Sequence, residues 1–140
     1  MKGSFFLDTN VLVYTFDRSA PEKRDIAVEL VAQALSGHGA ISYQVVQEFL
    51  NVATRKFAKP FTESEAAQYL DGVLTPLCTV HPGPDLYRMA LQVHSNQGFS
   101  FYDSIIVASA HLAGCRTLYS EDMQSERVVL GLRIVNPFQT

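Results

Sequence analysis

The chain reads as an α/β domain on a parallel sheet, and three observations carry that reading. Short apolar runs bounded by turn residues recur at residues 5–7, 40–42, 76–80, 116–120 and 133–135, lengths that suit buried strands. Longer stretches of helical period lie between them, an alternation typical of βαβ units. The first run, Phe5-Phe6-Leu7, is apolar throughout and ends directly on Asp8. That is the pattern of a strand covered on both faces, with a carboxylate at its carboxyl end, where open α/β sheets bind their ligands.

Each element then follows in order. Val11 to Phe16 begins a helix, with Thr9 or Asn10 as its cap. Asp17 to Pro21 is a polar break, and Pro21 opens the next helix with Glu22 and Asp25 near its positive end. Ile26, Leu30, Val31, Ala34 and Leu35 recur on one face, and Ser36-Gly37-His38-Gly39 ends the helix. Tyr43 to Phe57 carries the clearest helical pattern. Val45, Phe49 and Val52 form one apolar line, Val46, Leu50, Ala53 and Phe57 an adjacent one, and Gln44, Glu48, Asn51 and Arg55 the polar face. Thr62-Glu63-Ser64-Glu65 has the form of a capping box for a helix bearing Ala66, Tyr69, Leu70, Val73 and Leu74. A strand over 76–80 leads to a helix over 85–97. Ile105-Ile106-Val107 suits either state, but Ala108, Ala110, Ala113 and the terminating Gly114 favour helix.

The chain has 140 residues, 47% of them hydrophobic and 18% charged, which suits one globular domain over residues 1–140 with a sizeable core. The formal net charge of −3 excludes a global basic field. Nucleic-acid binding would therefore need local positive charge. Cys78 and Cys115 have no metal-type spacing and read as reduced, buried thiols of a cytoplasmic protein. Asp8 and Asn10 interrupt the first apolar run too early for a signal peptide, and no run approaches a membrane span.

Most acids fall on helix starts or polar faces, as solvated side chains do. Asp8 differs, with apolar residues on both sides, although a carboxylate there also suits a simple cap of the helix that follows the strand. Asp103 lies among Phe101, Tyr102 and Ile106, where the helix dipole, at about 0.3–1 kcal/mol, does not offset burial of a charge. Asp122 follows the strand over 116–120, just beyond its carboxyl end, and Glu121 beside it leaves the assignment open. Glu48 lies on a polar helical face, where a solvated glutamate is commonplace.

Together these stretches resemble the PIN-domain family of metal-dependent ribonucleases, and within it the VapC-type toxins of toxin–antitoxin pairs. The resemblance runs through Phe6-Leu7-Asp8-Thr9-Asn10-Val11-Leu12-Val13-Tyr14, Ile41-Ser42-Tyr43-Gln44-Val45-Val46-Gln47-Glu48-Phe49-Leu50-Asn51-Val52, Phe101-Tyr102-Asp103-Ser104-Ile105-Ile106-Val107-Ala108 and Leu118-Tyr119-Ser120-Glu121-Asp122-Met123. Gly131 to Phe138 is similar to the family's closing strand. The resemblance implies a three-layer α/β/α sandwich in which Asp8, Glu48, Asp103 and Asp122 meet in one pocket. It also implies Mg²⁺ or Mn²⁺, RNA as substrate, a homodimer and a cognate antitoxin protein.

The residues fit that chemistry. Clustered carboxylates repel one another, and a hard divalent ion with oxygen ligands reverses the effect. His38, His81, His94 and His111 are scattered, which disfavours zinc. Asp8 and Asp103 are the first-choice metal ligands. Asp122 is a ligand or orients a water, and Glu48 holds a water or acts as base. Asn10 and Ser120 are hydrogen-bonding helpers. Arg55, Lys56 and Lys59 cluster at the end of the Glu48 helix, Arg55 about 10 Å from Glu48 along the axis. They suit phosphates flanking the cut or, equally, the negative end of the helix.

Three other classes stand against this reading. A haloacid-dehalogenase-type phosphatase would place an acid two residues after Asp8, where Asn10 stands. A receiver-like signalling domain would want adjacent acids after its first strand and a lysine near its last. A catalytically silent acid-cluster binding module would keep the acids without turnover.

Overall fold

The computed structural model describes residues 4–139, which form a mostly parallel sheet flanked by helices. In chain order the elements are β1 (Phe5–Leu7), α1 (Thr9–Tyr14), α2 (Pro21–Gln33), β2 (Gly39–Ser42), α3 (Tyr43–Arg55), α4 (Glu63–Tyr69), α5 (Thr75–Leu77), β3 (Cys78–Val80), α6 (Pro84–Gln97), α7 (Phe101–Leu112), β4 (Thr117–Tyr119), β5 (Val128–Val129) and β6 (Leu132–Val135). The sheet is six-stranded, in the order β3-β2-β1-β4-β6-β5. β1 is thus flanked by strands on both sides, and Phe5, Phe6 and Leu7 are all buried, as an all-apolar run requires.

The crossover helices cover the strands. α7 packs on β2, β4 and β6, and α6 packs on α7, with Leu86, Ala90, Ile105 and Ala108 between them. α1 packs against α2 and α3. The α3 face that enters the core is Val45, Phe49 and Ala53, one member of the expected double apolar stripe per turn. Phe49 stacks on Tyr69 at 4.7 Å and meets Phe16, Phe57 and Phe61 edge-on or tilted. This aromatic group joins α3 and α4 to the segment that follows α1. Thr62 and Glu65 form the expected reciprocal capping box at the start of α4.

The structure corrects the sequence expectations in four places. The cap of α1 is Asp8, whose side chain accepts from the Thr9 amide; Thr9 and Asn10 lie inside the helix. The third strand starts at Cys78 and not at residue 76, because a π-type turn over Leu70–Leu74 and the short α5 carry helical geometry through Pro76. A sixth strand, β5, pairs antiparallel with β6 at the edge. A two-residue turn at Leu130 (φ 55°) and Gly131 (φ 75°) joins them, both positive as a type I′ hairpin demands. Cys78 is only half-buried, whereas Cys115 is buried, and both thiols are free. Among the described residues no helix is long and apolar enough to cross a membrane.

Gly39 opens β2 where nothing larger fits. A Cβ there would meet the Ala34 Cβ at 2.4 Å and the Phe5 ring at 2.9 Å, so the turn ending α2 closes directly onto β1. That close approach sets β2 beside β1 and aims α3, which follows without a loop, at the carboxyl edge of the sheet.

Candidate metal centre

The centre is built where β1 and β4 stop. These strands run parallel with Leu7 opposite Tyr119. The ladder extends by one bond from the Asp8 amide to the Tyr119 carbonyl at 3.0 Å, and another from the Ser120 amide to the Val135 carbonyl at 3.0 Å. Asp8 and Ser120 are therefore fixed side by side just past the last strand residues. The Ser120 hydroxyl donates to Asp8 Oδ2 at 2.7 Å, and the Thr9 amide donates to Oδ1 at 2.8 Å. Ser120 Oγ in turn accepts from the Asp122 and Met123 amides at 3.3 and 3.4 Å, which turns the chain after β4 back toward the site.

The other acids arrive on helices and on that turn. Glu48 lies on α3; Thr9 Oγ1 donates to its Oε1 at 2.7 Å, and Gln44, one turn earlier, donates to its Oε2 at 3.2 Å. Asp103 lies in the first turn of α7, where Ser100 is the cap and accepts from the Asp103 amide at 3.1 Å. Asn10 spans the gap to the last acid, donating to Asp122 Oδ2 at 3.1 Å while accepting from the Glu121 amide at 3.2 Å. The four acids thus converge on one sheet edge.

Their environments differ. Asp8 is buried at 7% exposure, Asp103 is half-buried, and Glu48 and Asp122 are exposed. Asp103 is not sunk among Phe101, Tyr102 and Ile106 as its neighbours in sequence suggest, since the helix turns Tyr102 outward to 70% exposure. Burial pushes the Asp8 carboxyl up to about 6; the Ser120 and Thr9 hydrogen bonds pull it down, and the charges of Glu48 and Asp122 add to the rise. Asp103 is raised by burial against the Ser100 hydrogen bond, and again by Asp122 and Glu48. Both acids feel the same two neighbours, so the charges share one field.

Among the described residues none of the four forms an ion pair, and no three histidine, cysteine or acidic side chains close into a ready-made cage. The donors are all oxygens around an uncompensated negative field. That set suits a hard cation held by a few carboxylates that keeps much of its water, the habit of magnesium. The ambiguity between Glu121 and Asp122 is resolved by contact: Glu121 pairs with Lys23 and with the Tyr14 hydroxyl, away from the cluster.

The cationic trio sits elsewhere. Lys56 caps the end of α3, and Lys56 and Lys59 line a cleft with Phe16, Arg18, Phe57 and Phe61. Arg55 is exposed on the last turn of α3, and no hydrogen bond joins the trio to the acids among the described residues. Sequence reading passed over Thr9 and Gln44. Gln44 was detectable at four residues from Glu48, the helical contact spacing; Thr9 was not, because its partner lies 39 residues away.

Comparison with known proteins gives a consistent picture of the fold. No curated protein matches the chain. Among solved structures, a toxin–antitoxin complex from Klebsiella pneumoniae is similar over 98% of this chain and 100% of that one, at 20% identity and a TM-score of 0.67. A sarcin–ricin-loop-cleaving VapC toxin of Mycobacterium tuberculosis is similar over 85% and 90%, at 18% identity and 0.59. DNA-bound VapBC from Salmonella typhimurium is similar over 94% and 96%, at 18% identity and 0.61. The PIN domain family model matches residues 5–129, a span that holds all four acids, Asn10 and Ser120. On that match, and on the fold that carries it, the chain belongs to the PIN-domain family.

Proposed function

We propose that the protein is a Mg²⁺- or Mn²⁺-dependent endoribonuclease and the toxin of a toxin–antitoxin pair. The observation that carries the reading is Asp8, a carboxylate buried at the sheet edge, faced by three more acids and given no cation by the described residues. Burial of such a group is costly unless a positive charge joins it.

When bound, the divalent ion supplies the charge that offsets the phosphoryl oxygens and the acidity that activates a water. Asp8 and Asp103 would hold it, and Asp122, steadied by the Asn10 amide, would complete the hold or orient the water. Glu48, fixed between Thr9 and Gln44, accepts the proton of the attacking water. Ser120 keeps Asp8 in one rotamer. Arg55, Lys56 and Lys59 take phosphates farther along the strand, so neutralising them flattens the salt dependence of RNA binding.

The similar structures include toxin–antitoxin complexes and a toxin that cleaves the sarcin–ricin loop. We extend from these a cognate antitoxin, a homodimer and a cytoplasmic setting, with residues 1–140 acting as one nuclease domain. The test is incubation of the purified chain with RNA, with and without Mg²⁺. Cleavage that appears with the ion, disappears with chelator and returns only when excess Mg²⁺ or Mn²⁺ is added back supports the proposal. Absence of cleavage under all ions overturns it in favour of an acid-cluster binding module.

A further inference from the structure

Beside the acid cluster lies a cavity of about 180 Å³ that no role described above uses. Its walls come from the start of α3, the end of β3, α6 and the first turns of α7. Three of the chain's six tyrosines, Tyr43, Tyr87 and Tyr102, line it, and all three are exposed, at 47%, 42% and 70%. Ser42, Gln44 and Ser109 line it as well. Ser42 and Ser109 are fully buried, at 1% and 0% exposure, yet neither hydroxyl has a hydrogen-bond partner among the described residues; the Gln44 Oε1 atom is likewise buried and unpartnered. Unsatisfied buried oxygens are uncommon, and three around one cavity ask for a polar ligand or an explanation in its place.

The lining is uncharged. That disfavours a phosphate or a carboxylate and favours a neutral, planar group with its own donors and acceptors. At about 30 Å³ per water the volume equals roughly six waters, room for one heterocycle and not for an extended ligand. Aromatic rings beside donors and acceptors are the features with which proteins hold unpaired bases. The position agrees. Gln44 donates through Nε2 to Glu48 Oε2 at 3.2 Å and to the Tyr102 carbonyl at 3.4 Å, and Tyr102 precedes Asp103, so the cavity adjoins two of the four acids.

We propose that this cavity is a base-specificity subsite: an unpaired nucleobase next to the cleaved phosphate stacks among Tyr43, Tyr87 and Tyr102 and is read by Ser42, Gln44 and Ser109. The proposal rests on the nuclease reading for its substrate, but its test does not need cleavage. The full chain is titrated in chelator with a fluorescein-labelled pentaribonucleotide and with the same strand made abasic at each position in turn, by anisotropy. Because the chain has no tryptophan and three of its six tyrosines line the cavity, the quenching that is lost in Tyr87→Ala reports stacking there.

One abasic position should weaken binding about tenfold and relieve the tyrosine quenching, and that penalty should vanish in Tyr87→Ala. Ser109→Ala, which removes only a buried hydroxyl, should keep the affinity within about threefold for one base and change the order of preference among the four. Equal losses at every abasic position, or the same loss in the parent and in Tyr87→Ala, overturn the subsite while leaving cleavage untouched. A tyrosine face covered instead by a second copy of the chain, seen as sedimentation and emission that change together with protein concentration and are lost in Tyr87→Ala, overturns it as well.

Discussion

Glu121 and Asp122 are neighbours in the chain and opposites in the molecule. Glu121 turns toward α2, accepts from Lys23 and from the Tyr14 hydroxyl, and closes a clamp in which the Lys23 ammonium also lies 4.9 Å from the Tyr14 ring and 5.9 Å from the Phe138 ring. Burial alone would raise its carboxyl, yet the Lys23 and Tyr14 hydrogen bonds carry it below the usual range. Asp122 turns the other way; among the described residues its carboxylate accepts only from the Asn10 amide, and its charge adds to the field that raises Asp8 and Asp103. One acid is neutralised by Lys23, and the other is left without a cation among the described residues. A paired carboxylate and an unpaired one are thus one residue apart at this edge.

Four substitutions or conditions break or sharpen that contrast. The largest effect belongs to Asp8→Asn. RNA cleavage should fall by more than the roughly 10–100-fold typical of an outer-sphere partner. Without metal at pH 8, however, the variant should be more stable than the parent by roughly 2–3 kcal/mol, because it removes a buried charge whose pKa is lifted from 3.8 to about 6. Urea unfolding in chelator measures it, and a destabilised variant would contradict the uncompensated field.

Ser120→Ala should cost about 10–100-fold in cleavage and about 1–3 kcal/mol in stability, since the buried hydroxyl steadies Asp8 from behind and accepts from the Asp122 and Met123 amides. Its sharper readout is the apparent metal affinity, which should fall in parallel.

The pH dependence follows from the sign of the Asp8 shift. The folded state binds this proton more tightly than the unfolded chain, so the metal-free protein gains stability as pH falls from above 6 toward 3.8 and loses it as pH rises through about 6. Added Mg²⁺ should therefore raise the melting temperature more at pH 8 than at pH 5. A rise equal at both pH values would place the ion away from Asp8.

The smallest effect belongs to Glu121→Gln. Cleavage should stay at the parent level, with a small loss of thermal stability that shrinks in high salt. A large loss of activity here would erase the distinction between the two acids.

Much of this was legible in the residues. Phe5-Phe6-Leu7 has no amphipathic alternation, so only a strand covered on both sides accommodates it, and Asp8 had to emerge at its carboxyl end. Thr62 through Glu65 announced its cap, and the apolar lines of α3 announced its buried face. β5 escaped because two residues carry no periodicity, and its turn uses Leu130 where an asparagine or glycine would have been readable. The start of β3 escaped because Pro76, which looks like a strand boundary, suits the first turn of α5 equally well. The Asp103 environment escaped because sequence neighbours of a helical residue point around the axis and do not surround it.

The sequence by itself determined the α/β class and most of the run of elements, because these depend on periodicity and on chemistry within a few residues. Only the tertiary structure decided which acids share a field, since that depends on β1 lying beside β4 and β2 and on helices that start at those strand ends. It alone separated Glu121 from Asp122, because both lie in the bend after β4, where no periodicity sets side-chain direction, and the cation that claims one of them comes from 98 residues away.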